Sequence, residues 1–124
     1  MTLTFEHVHI LCEDVAVVGK FLVETIGAEE LRRNPANMNW EFQLGPVRIF
    51  ARQRRTDEHL ADESVRRRGL DHIGFTTDDI EQEMPRLIDA GCVVVTGTTL
   101  PRAGVTTAFV MAPGGLLIEL LQRN

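Results

Sequence analysis

Two stretches half a chain apart share one layout, and this constrains the fold more than any bulk property. FEHVHILC (residues 5–12) leads into the acidic pair Glu13-Asp14 and then an apolar helix-like run. LDHIGFT (residues 70–76) leads, after Thr77, into Asp78-Asp79 and a second such run. The strand histidines His7 and His72 stand 65 positions apart (72 − 7) in a chain of 124 residues. A duplication of this kind means that whatever the first half folds into, the second half folds into as well.

The pattern between these landmarks supplies the elements. In FEHVHILC, Phe5, His7, His9 and Leu11 alternate with Val8, Ile10 and Cys12, and period two means a strand. Asp14 is placed to cap a helix through VAVVGKFLVETIGA, which Gly27 ends. The segment AEELRR, a turn at 34–37 and the strands NWEFQL and VRIFARQ complete a β-α-β-β-β order. The second half repeats it: LDHIGFTT, a helix IEQEMPRLIDAG opened by Asp78-Asp79, then CVVVTGT, VTTAFVMA and LLIELLQ. Pro85, well inside the second helix, predicts a kink or a late start. The expected organisation is one domain over 1–124, with unit one about 1–53, a polar linker about 54–69, and unit two about 70–124. The fold class is α+β: two βαβββ units forming an open, cup-shaped mixed sheet with the helices outside.

Composition narrows the function. A formal net charge of −5 argues against a nucleic-acid or anionic-membrane partner, because both require a basic surface. No apolar run approaches the roughly 20 residues that span a bilayer. MTLTFEH lacks the marks of a signal peptide, so a cytoplasmic location is the expectation. The two cysteines, Cys12 and Cys92, read as buried reduced thiols.

Three polar residues occupy matched places in the duplicated frame: His7 and His72 in the first strand of each unit, and Glu119 inside the apolar strand LLIELLQ. A carboxylate among apolar neighbours costs several kcal/mol unless it is paired, solvated at an edge, or bound to a cation. Two imidazoles and one carboxylate suit one divalent metal (Fe, Mn, Co, Ni or Zn) with positions left open for substrate oxygens. His9 shares the face of His7 about 6–7 Å further along, so it reads as an acid–base or pocket residue rather than a ligand.

These segments resemble the vicinal oxygen chelate superfamily, which includes glyoxalases, bleomycin-resistance proteins and extradiol dioxygenases. The likeness is carried by FEHVHILCEDVAVVGKFLVETIGAEEL, GLDHIGFTTDDI and APGGLLIELLQ, and it covers nearly all of the chain but the linker. It implies paired βαβββ units around a divalent metal that chelates two adjacent substrate oxygens, with His7, His72 and Glu119 as ligands. The family's fourth ligand falls in VRIFARQ, where Phe50, or with a slip of one or two residues Ile49 or Arg48, stands in place of the usual Glu or Gln, so the set departs from the pattern there. Glu41 or Gln43, on the face opposite Trp40, Phe42 and Leu44, are candidates to complete it.

Three functions follow from the likeness. One is isomerase, epimerase or glyoxalase-type lyase chemistry through a metal-stabilised enolate, with Glu41 or His9 as the base and Arg48 or Arg52 holding an anionic group of a small-molecule substrate. Another is an iron(II) ring-cleaving dioxygenase built on the His-His-Glu triad. The third is a non-catalytic binder with an aromatic-lined groove, for which Trp40 and Phe42 are candidates. The resemblance also implies a homodimer that covers the sheet edges.

Overall fold

The computed structural model describes residues 2–63 and 65–124. The chain divides into two compact units, Met1–Asp62 and Glu63–Asn124. The first runs β1 (His7–Cys12), α1 (Val15–Lys20) continued by a π-helical stretch Phe21–Ile26, β2 (Glu29–Asn34), β3 (Asn39–Leu44) and β4 (Val47–Gln53). The second runs β5 (Ile73–Thr76), α2 (Ile80–Asp89), β6 (Val93–Arg102), β7 (Val105–Met111) and β8 (Leu117–Arg123). Each forms its own four-stranded mixed sheet, ordered β1-β4-β3-β2 and β5-β8-β7-β6. In both, the first strand lies parallel to the last and the remaining pairs are antiparallel. The α+β class and the twofold βαβββ order are those the repeat predicts.

Local signals explain the boundaries. The Asp14 carboxylate accepts the amide hydrogens of Ala16 and Val17 and so starts α1. Gly27, with φ at 89°, turns the chain out of the helix. Asp79 caps α2 by accepting from the amide of Gln82. The late start expected from Pro85 does not occur, since α2 begins directly after that cap and includes the proline. The ring removes one helical hydrogen bond, and the capped first turn carries the helix past it.

In unit one, Ile10, Cys12, Ile49, Ala51, Trp40 and Phe42 meet Val15, Val18, Phe21 and Leu22 of the helix in a single buried layer. Gly19 is a requirement of this packing, because a Cβ there would stand 2.6 Å from the Trp40 ring. The α2 helix packs over β6, β7 and β8, with Ile80, Leu87, Val110, Ala108, Ile118 and Leu120 buried. Both cysteines are free and buried. Burial, reinforced by Asp14 and Glu13, pushes the Cys12 thiol up to about 11, so it stays protonated.

The start of the expected linker is fastened to unit one. Arg54 donates its amide to the Cys12 carbonyl at 2.8 Å and its guanidinium to Glu13 at 2.6 Å. Arg52 grips Glu58 through two bonds, at 2.7 and 3.1 Å.

Candidate functional site

In the second unit, β8 alternates: Ile118 and Leu120 are buried in the core layer, and Glu119 turns to the other face. The register places Gly74 of β5 on one side of Glu119 and Phe109 of β7 on the other. Gly74 has no side chain to cover the carboxylate, and a Cβ built there meets nothing within 4 Å. His72, expected within the strand, stands one residue before β5. Its Nε2 lies 3.5 Å from Glu119 Oε2, and its Nδ1 lies 2.8 Å from the Asp71 carboxylate. The edge of the ring meets Phe109 with centroids 5.1 Å apart.

This geometry has a chemical consequence. A carboxylate at Nδ1 holds the proton there and leaves the Nε2 lone pair outward, as it does for metal-bound histidines. That lone pair and a carboxylate oxygen then face each other, an arrangement that gains from a proton or a cation between them. The donor set of imidazole nitrogen and carboxylate oxygen fits a borderline divalent metal. Among the described residues, no three or more His, Cys, Asp and Glu side chains come together as a ready-made cage.

The first unit repeats half of this device. The Glu6 carboxylate bonds Nδ1 of His7, so in both units a carboxylate directly precedes and engages the histidine at the start of the sheet. Parallel pairing sets His7 beside Arg48, His9 beside Phe50 and Leu11 beside Arg52. Phe50 therefore occupies the space between the histidines, its centroid 4.5 Å from the His7 ring and 5.7 Å from that of His9. Partial burial, then the charges of Arg52 and His7, hold the His9 pKa below its ordinary value and favour the neutral imidazole.

The other expected site residues of this unit are engaged locally. Glu41 is buried and clamped by Arg48 at 2.8 Å and Arg32 at 3.3 Å. Gln43 donates to the Gly45 carbonyl at 2.7 Å. Arg52 holds Glu58, and Arg48 is occupied by Glu41. Trp40, a groove candidate that also reads as core, is packed on Gly19 in the helix-side core, with the Arg33 guanidinium 4.0 Å from its ring centroid. Phe42, also expected to line a groove, is fully buried there. Both rings lie on the apolar side of β3, where burial decides their place.

Sequence reasoning missed Asp71, Phe109, Arg32 and Glu58. For Asp71 and its counterpart Glu6 a signal existed, since an acidic residue precedes the histidine in both halves. The other three are paired through register or tertiary contact, which single-strand periodicity does not carry.

The model of the glyoxalase/bleomycin resistance protein/dioxygenase superfamily matches residues 6–109. The chain belongs to this superfamily. Solved structures share its fold. A fosfomycin resistance protein, FosX, from Listeria monocytogenes superposes with a TM-score of 0.75 at 16% identity, covering 100% of this chain and 96% of that one. A glyoxalase family protein from Enterococcus faecalis gives 0.77 at 24% identity, with 97% and 98% covered. TioX from Micromonospora sp. ML1 gives 0.69 at 18% identity, with 98% and 100% covered. No curated protein matches the sequence. No helix among the described residues is long and apolar enough to cross a membrane.

Proposed function

We propose that this superfamily member is an enzyme acting on a small molecule with two neighbouring oxygens, using a divalent cation held by His72 and Glu119. One observation carries the reading: Asp71 fixes His72 so that Nε2 faces the Glu119 carboxylate at 3.5 Å. His72 and Glu119 would hold the cation, which would supply Lewis-acid stabilisation of negative charge on a substrate oxygen. The donor set admits Fe, Mn, Co, Ni or Zn.

The remaining work falls to the chain's own groups. Asp71 orients the ring through Nδ1. Phe109 walls one side of the pair, and Gly74 keeps the other side open to a ligand. The sequence likeness assigns His7 the role of a ligand and His9 that of an acid–base residue, and the His9 imidazole is held neutral, as a base requires. The choice of His9 over Glu41 is supported by the two arginines that already occupy the Glu41 carboxylate. The reaction class is proton transfer next to a carbonyl, as in epimerases, isomerases and glyoxalase-type lyases.

The test is hydrogen–deuterium exchange at the carbon beside the carbonyl of 2-hydroxy- and 2-methyl-carbonyl compounds, in deuterated water. Metal-loaded protein is expected to catalyse exchange, and His9→Gln to slow it by about a hundredfold while still binding metal. Metal binding without any exchange across such compounds contradicts the proton-transfer reading.

Phe50 favours a second reading. Its ring replaces the fourth donor the likeness calls for, and a ligand set short of one carboxylate, as the likeness then implies, is the kind iron(II) oxygenases use. Iron(II)-dependent oxygen uptake with catechols selects that chemistry. A protein that takes up no metal at all is left as a small-molecule binder.

A further inference from the structure

Of the described charged residues, Glu41 alone is buried. A buried carboxylate is costly unless a cation offsets its charge. Glu41 has two such cations. Its Oε1 lies 2.8 Å from a nitrogen of Arg48, and its Oε2 lies 3.3 Å from one of Arg32. The register explains the meeting: Arg32 of β2 stands opposite Glu41, and Arg48 of β4 stands opposite Gln43, the next residue on the same face of β3. One carboxylate therefore holds two guanidiniums side by side, and the cluster keeps a positive charge in excess. The Glu41 side chain is 11% exposed, that of Arg48 39% and that of Arg32 74%, so the acid lies beneath and the cations reach solvent. Each guanidinium carries five N–H donors, and neither arginine has another acidic partner among the described residues. Arg52 differs, because both its terminal nitrogens are bonded to Glu58 and its side chain is 18% exposed.

We infer that Arg32 and Arg48 form an oxyanion site that takes a carboxylate or phosphate group of a small molecule. Guanidiniums fixed next to each other present paired donors to paired oxygens, and such charge-assisted bonds are the strong ones. Two like charges held together are unfavourable, and an anion above them removes the excess. Glu41 has already ordered both side chains, so binding loses little of their rotamer freedom. Strand periodicity assigns Arg32 no part, since its pairing is visible only across β2 and β3. The inference goes beyond the proton-transfer reading and does not rest on the cation, because neither His72 nor Glu119 takes part.

The experiment is titration of the metal-free full chain with inorganic phosphate, and separately with acetate, at constant ionic strength balanced by chloride. Nuclear magnetic resonance of the arginine Nε–H groups reports the site, and circular dichroism checks folding. Phosphate is expected to shift the Arg32 and Arg48 signals to saturation, and acetate, with less charge, to do so more weakly. Arg32→Gln and Arg48→Gln are each expected to weaken phosphate binding at least about tenfold, and Arg52→Gln to leave it unchanged. The exposed Arg32 carries the test if Arg48→Gln fails to fold. The inference is overturned if neither anion saturates these signals or if chloride alone shifts them equally. Phosphate shifts confined to Arg66, Arg67 and Arg68, or a loss of binding in Arg52→Gln alone, overturn it too.

Discussion

Glu58 shows how one side chain ties the end of a sheet to the segment that follows it. Its carboxylate accepts two hydrogen bonds from Arg52 and one from the Arg55 amide. The Arg52 bonds, then the Arg55 amide, hold its pKa down from 4.5 to about 2. A pKa lowered by folding stabilises the native state above the unfolded value, and that contribution disappears as pH falls through the folded value. Glu58→Gln is therefore expected to melt below wild type at neutral pH. The gap narrows between about pH 4.5 and 2 and closes below it, as thermal melts across that range will register. A constant gap down to pH 2 contradicts the pairing. At the same scale, Asp71→Ala removes the acceptor at Nδ1 of His72 and leaves the ligand atoms in place. It is expected to weaken metal binding by about 10–100-fold, measured by calorimetric titration, with the fold unchanged.

At the scale of elements, strand identity followed from period two and helix starts from acidic caps, because both depend on neighbours in sequence. The faces of β1 and β8 were legible for the same reason, and with them His7, His9 and Glu119. Pairing across strands was not. Nothing local in NWEFQL shows that Glu41 is claimed by Arg32 and Arg48, or that Trp40 lies against a helix glycine. That last contact is itself testable. Gly19→Ala drives a methyl into the Trp40 ring and is expected to cost about 1–3 kcal/mol through overpacking. Urea unfolding measures this, and a neutral result would show that the helix backbone stands off the ring.

For the whole molecule, duplication makes each unit a control for the other. Both put a carboxylate in front of a histidine at or just before the first strand and bond it through Nδ1. They diverge where the last strand brings Phe50 in one case and Glu119 in the other, so the acid that would share an ion with the histidine is present only in the second. The superfamily was legible from the repeat and the terminal Pro-Gly…Ile-Glu-Leu strand. Substrate choice was not, since it depends on side chains scattered along the sequence.

The central claim is that His72 and Glu119 are two ligands of one divalent ion. Cobalt(II) titration of the metal-free full chain, followed by its visible absorption, tests it most directly. One ion per chain is expected for wild type, with affinity falling at least about a hundredfold in His72→Gln and in Glu119→Gln. Wild-type affinity retained in both folded variants would contradict it.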